Sequence, residues 1–503
     1  VSLGSAINIS SQSLENISSG FALISQNIAN ASTPGYSREM APTVSLDAGG
    51  QGIGAKLAPS SLATNAALQM QLYSQNAASS AATTTNTALS ALQPVLGTVG
   101  QGNDLGSLLA NLQSAFSTLL NDPSSQTQQV SVVSAAQSVA QQINALSNAY
   151  GQARQSAQNT LVTQVVALNT ALAQVGSLSN QIIALKAQNA GTADLENQRN
   201  QALTTISGLV SAHFVEQPDG GMEVFTAGGA QLPTLGGTPL SISAATTGAA
   251  AYYPGGGLPG IVMNGADITA ALTGGSIGAN VVLRDQTLPT YQGELDEFSQ
   301  TLTTRFAAQG LALFSDPQGN VPAGGGTPTQ STYIGYSSVI TVNPTVAATP
   351  ADVRDGTAGQ SGFAPNPNNL AGYTDLIDRV LNFALGANQQ ANVAQPSPAT
   401  TGLGAGGTLS APFAAPATLA DFATDITASQ SSDSATAATS ATDAASVQTS
   451  LAGSLNTQTG VDVDSQLSLM VQLQNAYGAN GKIISSIEDM FNTLLSDITP
   501  AVT

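Results

Sequence analysis

Apolar residues in the first thirty positions fall alternately three and four apart. Leu3, Ile7, Leu14, Ile17, Phe21, Ile24 and Ile28 make the series, and Ser10 is its one polar member. This is a heptad seam, and it predicts a helix that lies along another helix. Asn30 and Ser32 weaken helix formation and the Pro34-Gly35 pair ends it, so the helix runs for about 28 residues, roughly 40 Å. The same step returns at the other end of the chain, in Val463, Leu467, Met470, Tyr477, Ile484, Ile487, Met490 or Phe491, Leu494 and Ile498. A second row, Leu469, Leu473, Ala476 and Ile483, widens that stripe enough to serve two neighbours at once. The pattern predicts that the two terminal helices pair, and that part of their apolar surface is meant for other molecules.

Between these ends the period changes several times. Met40–Leu46 reads as extended, and Gly49-Gly50-Gln51-Gly52-Ile53-Gly54 as a turn between two short strands. No helix follows that Gly-rich run and no Lys-Ser/Thr pair accompanies it, so it lacks the context of a phosphate loop. Residues 61–96 read as a helix stopped by Pro94 and Gly97. Leu105 to Leu120 form a second stripe, stopped at Asn121-Asp122-Pro123. No proline then occurs until Pro218, and a heptad-like step from Val130 to Leu185 predicts one helix of about 60 residues, roughly 90 Å, with possible bends at Gly151 and Gly176. The period switches to two at His213, where Phe214-Val215, Pro218-Asp219-Gly220-Gly221 and Met222-Val224-Phe225 predict a β-hairpin. Strands are expected near 240–243, 261–263 and 280–283, and a helix after Pro289. Residues 311–416 hold about half the prolines, with a strand-like stretch at 333–342 and a helix-like one at 370–385. Leu419–Asn456 reads as a returning helix, although its Ser/Thr/Ala run at 429–446 has the composition of a linker.

The expected fold is mainly α with smaller β parts (α+β). It comprises a terminal α-helical coiled coil from 1–59 and 459–503, and an elongated helical rod with β-hairpins from 60–310 and 417–458. A small mixed or β outer insertion from 311–416 completes it.

Composition narrows the chemistry. Charged residues are 8% of the 503, and ten Lys and Arg against 29 acidic residues give a formal net charge of −19. Phosphate binding needs clustered cations, and here they are scattered singly, so no nucleic-acid partner is expected. There is no cysteine, which removes disulfides, thiolate zinc sites and thiol catalysis. No run reaches ~18 apolar residues, so no membrane span is expected. The N-terminus lacks the basic and apolar regions of a cleaved secretion signal, so if the chain is secreted it goes by a route that needs no cleaved signal. His213 is the single histidine, and metal sites usually require several ligands at set spacing. No nucleophile elbow accompanies it. Asp462 and Asp464 read as helix-start residues rather than calcium ligands. Gln198-Arg199 reads as a helix-packing contact, with Asp194 or Glu196 as the partner. No catalytic constellation, cofactor or metal is expected. The alternative of an enzyme or binding module in 311–416 lacks support, because that stretch holds neither His nor Glu.

One resemblance rests on specific residues. Asn27-Ile28-Ala29-Asn30-Ala31-Ser32-Thr33-Pro34-Gly35-Tyr36-Ser37-Arg38 resembles the N-terminal signature of bacterial flagellar axial proteins, and the Thr33–Arg38 version resembles the hook-associated protein 1 (FlgK) family. The tail is similar to that family's C-terminus in Thr459–Asp464, Leu473–Asn480 and Met490–Leu495, although Gly478 and Gly481 stand where stronger helix formers are usual. Leu195-Glu196-Asn197-Gln198-Arg199-Asn200 is similar to a motif of hook-associated proteins, with Asn200 in place of an Asp. The resemblance implies a secreted structural subunit exported by the flagellar type III path, at the junction of hook and filament. It implies an inner tube of terminal helices in a ring of identical subunits. Hook protein would lie on one side and hook-associated protein 3 on the other, with a cytoplasmic export chaperone on the C-terminal helix. Hook-associated protein 3 and hook protein are the alternatives within the same class. The expected assembly interface is the N-terminal seam with Asn30, Pro34, Gly35 and Tyr36, together with Val463, Leu467, Met470, Leu473, Tyr477, Ile484, Ile487, Phe491 and Leu494.

Overall fold

The computed structural model describes residues 3–48, 51–98, 100–234, 236–359 and 363–498. It is mainly helical with small antiparallel sheets. The chain divides into two compact units, one of Val1–Ala78, Ala167–Pro239 and Ala445–Thr503, the other of Ser79–Val166 and Leu240–Ala444. Three of the four chain boundaries between them fall inside long helices, Ala66–Ser90, Gln126–Ala187 and Leu419–Thr459, and the fourth, at Pro239–Leu240, falls outside any helix.

In the first unit, the N-terminal helix Leu3–Ala29 and the C-terminal helix Val463–Ile498 lie where the heptads place them, and they pack on each other. A hairpin of Thr43–Ala48 and Gln51–Leu57 pairs antiparallel and also packs on the N-terminal helix. The turn glycines Gly49 and Gly50 lie outside the described residues. Helix Ala193–Leu209 leads into a three-stranded antiparallel sheet of Ala212–Glu216, Met222–Thr226 and Gln231–Leu232. Tyr73 and Phe214 meet edge-on at 4.8 Å between ring centroids, an arrangement that favours the ring quadrupoles.

The second unit is built around one apolar core. Helices Leu105–Asn121 and Leu288–Ala308 supply Phe116, Phe298 and Phe306, all fully buried. The stretch 311–416 adds Phe314, Val353 and Ile377 to the same core. The helix Gln126–Ala187 is unbroken for 62 residues, through Gly151 and Gly176. By length and composition it is apolar enough to cross a membrane, but Val132, Val139, Ile143, Leu161 and Leu168 are buried against the protein.

Several local expectations fail for physical reasons. Residues 280–283 are not a strand: helix Gly275–Val282 continues through a π-turn at Leu283–Thr287 into Leu288–Ala308. The apolar run there is a buried helix segment, which periodicity alone does not separate from a strand. Residues 333–342 fold as turns and a 3-10 helix with a strand only at Thr341–Val342, because Gly335 takes φ +77°. Residues 240–243 contribute one bridge, Ser241 to Val262, rather than a strand. The helix in 370–385 starts late, at Asp375, and Leu370 is exposed. The Ser/Thr/Ala run at 429–446 is helix throughout.

Candidate functional site

The paired terminal helices are antiparallel, and their contacts step by seven on both. Asn27 Nδ2 donates to Gln466 Oε1 at 3.3 Å. A Cβ on Gly20 would stand 3.0 Å from Leu473 Cδ1. Asn480 Nδ2 donates to Ser13 Oγ at 2.8 Å. Small and polar residues therefore form the closest line of approach, with Ser10, Ile17, Ile24 and Ile487 buried beside it. Of the other seam residues, Leu3, Ile7, Leu14, Phe21 and Ile28 are half-buried, as are Met470, Leu473 and Ile484. Sequence reasoning missed Ser13, Gly20, Asn27, Gln466 and Asn480, because an apolar search skips polar members of a heptad. The readable signal was their own seven-residue spacing.

The Asn-to-Arg run after the N-terminal helix is a hydrogen-bonded turn. Asn27, 1% exposed, uses its whole side chain. Its Nδ2 also donates to Glu39 O at 2.9 Å, and its Oδ1 accepts from Glu39 N at 2.9 Å and from Tyr36 Oη at 3.0 Å. Asn30 Nδ2 donates back to Gln26 O, Pro34 and Gly35 are exposed, and Gly35 takes φ +76°. Burial, reinforced by the charges of Glu39 and Asp194, pushes the Tyr36 phenol above its ordinary value. Burial and then Asp194 likewise raise the Glu39 carboxyl. Asn197 holds the next peptide unit from both sides: Ser37 N donates to its Oδ1 at 2.9 Å and its Nδ2 donates to Ser37 O at 3.0 Å. Arg38 N donates to Thr459 O at 2.7 Å. The turn thus ties the N-terminal helix to the internal motif helix and to the end of the returning helix. Asp462 then caps the C-terminal helix, accepting from Asp464 N and Ser465 N.

Arg199 is buried but does not pair with Asp194 or Glu196. Its Nη1 donates to Gly220 O at 2.7 Å, and its Nη2 lies 3.4 Å from Glu216 in the sheet. Asp194, five positions away, is on another part of the helix face, and Glu196 instead accepts from Thr192 Oγ1 at 2.7 Å with Lys186 Nζ at 4.0 Å. Gln198 is the one that bonds Asp194.

The C-terminal helix keeps much of its apolar surface open. Val463, Leu467, Leu469, Val471, Tyr477, Ile483, Met490, Phe491 and Leu494 are all exposed, between 37% and 56%. A groove of about 760 Å³ opens between the two helices and the hairpin, lined by Leu23, Met40, Pro42, Leu57, Leu469 and Leu473 among others. His213 is exposed on its strand. Among the described residues no three or more His, Asp and Glu side chains cluster as a metal site.

The model of the FlgK helical domain, from flagellar hook-associated proteins, matches residues 89–319. The C-terminal model of the flagellar basal body rod FlgEFG proteins matches residues 452–497, nearly the whole C-terminal helix. Residues 89–319 are thus similar to the FlgK helical domain of flagellar hook-associated proteins. Among solved structures, the flagellar hook junction protein FlgK from Burkholderia pseudomallei is similar at 24% identity with a TM-score of 0.42. That match covers 50% of this chain and 46% of that one, so the chain spans less than half of that structure's length. No curated protein matches the chain.

Proposed function

We propose that this chain is a structural axial subunit of the bacterial flagellum at the junction between hook and filament, and that it assembles through its terminal helices. The observation that carries this reading is the apolar face of the C-terminal helix. Ten large apolar side chains stand exposed on one 36-residue helix, in a chain with only 8% charged residues. Contiguous apolar surface of this kind marks an interaction site. Residues 1–59 and 459–503 form the inner tube in this proposal, 60–310 and 417–458 the rod outside it, and 311–416 the outermost part. Identical subunits form a ring, with hook protein on one side and hook-associated protein 3 on the other. A cytoplasmic export chaperone covers the C-terminal helix before secretion to the extracellular flagellum. The chain acts as a building block rather than an enzyme.

A strain lacking the gene tests the assignment. The expected phenotype is a completed hook with filament subunits lost to the medium. A missing hook would assign the chain to the hook itself, and normal filaments would overturn the role altogether.

A further inference from the structure

The groove beside the terminal helices and the far end of the C-terminal helix are complementary surfaces that one chain cannot bring together. The groove lies at the Gln466–Leu473 end of the helix pair. Every side chain described from Glu488 to Ser496 is exposed, including Met490, Phe491 and Leu494. The helix is continuous between them, and at 1.5 Å per residue Phe491 stands about 27 Å along it from Leu473. A helix cannot fold back over that distance into its own groove.

Charge also complements. The exposed segment opens with Glu488-Asp489, both in solvent. The groove is lined by Arg38, one of the ten cations in the chain. Arg38 makes no ion pair among the described residues; its guanidinium reaches Met40 Sδ, at 4.0 Å. Glu39, the carboxylate of the lining, is buried and accepts from Gln26 and Tyr36, so it does not cancel Arg38 at the rim.

We propose that the Glu488–Ser496 segment of one copy docks in the Met40–Leu57–Leu473 groove of a second copy, with Glu488 and Asp489 beside Arg38. The contact is heterologous, since each copy offers a different surface at each end. It therefore propagates from copy to copy as a ring or a helix rather than closing as a dimer. The proposal rests on the self-assembly reading above.

The absence of cysteine makes the test clean. Full-length Met40→Cys and Leu494→Cys chains are produced together in the flagellated bacterium lacking its own copy. Isolated flagella are then treated with a short bis-maleimide linker. The expected product is a 40–494 heterodimer. It is absent from either variant alone and from the pair of Leu494→Cys with Thr87→Cys, an exposed control on the other unit. Arg38→Glu on the Met40→Cys chain should lose most of the heterodimer, and Glu488→Arg with Asp489→Arg on the other chain should restore it. Incorporation of both variants without the heterodimer overturns the docking and leaves the assembly reading intact. A Leu494→Cys homodimer, or an adduct to another protein, overturns it equally. Absence of even the wild-type chain from the flagella overturns both.

Discussion

Asn27→Ala removes the side chain on which the turn after the N-terminal helix closes. Three groups lose their partner inside the fold: the Glu39 N–H, the Glu39 carbonyl and the Gln466 side-chain oxygen, while the Tyr36 hydroxyl keeps Glu39 Oε1 at 3.5 Å. A stranded buried polar group costs about 1–3 kcal/mol. Asn27 lines the groove, so water reaches part of the site and the lower end applies. The sum is about 3 kcal/mol for three groups, or roughly a hundredfold in a local opening equilibrium. Hydrogen exchange of the full chain reads this directly. Amides in 20–45 and 455–470 should exchange about a hundredfold faster in the variant, while helix Leu105–Asn121 of the other unit stays unchanged. Acceleration below about threefold in 20–45 would refute the hub role of Asn27. Equal acceleration in both units would show a global effect instead.

Three further outcomes are expected. Asn197→Ala strands both polar groups of Ser37 and should cost about 2 kcal/mol, seen as faster exchange at 36–39; rates equal to wild type would contradict it. Gly20→Val places a branched side chain where Leu473 already sits and should speed protease cleavage of the terminal helices. Adding Leu473→Ala should restore resistance, and a double variant no better than the single would exclude this contact. Glu294, 1% exposed, has its carboxyl raised by burial from 4.5 to about 8, with Asp433 adding to the effect. The folded state thus holds its proton longer than the unfolded state does, and its contribution is complete below about pH 4.5 and lost as pH rises through 8. Denaturant unfolding should show stability falling across that window by at most ~1.4 kcal/mol per pH unit from this group. Glu294→Gln should flatten the slope, and an unchanged slope would refute the assignment.

Much of the terminal architecture was legible because a heptad is a local, repeated signal. The helix ends at Ala29 and Asn121 and the starts at Leu105 and Val463 follow from Pro, Gly and Asp at fixed places. The apolar series also marked which helices pair. What it hid was the line of closest approach, since Ser13, Gly20, Asn27, Gln466 and Asn480 carry no hydrophobic signal. The partner of Arg199 was hidden for another reason: Glu216 and Gly220 come from a strand whose packing depends on tertiary structure. The same holds for 280–288, where an apolar run and a proline suggested two elements and the backbone made one continuous helix through a π-turn. Local composition sufficed at the ends of the chain and failed where packing overrides propensity.

The open apolar face of the C-terminal helix is the surface on which assembly depends in this account. Leu467 and Tyr477 are 47% and 51% exposed, so Leu467→Asp with Tyr477→Asp should leave the isolated chain folded, with unchanged helical circular dichroism. The decisive quantity is the amount of that variant in isolated flagella of a strain lacking the wild-type chain. The account predicts none, with filament subunits released to the medium; incorporation at the wild-type level would contradict it.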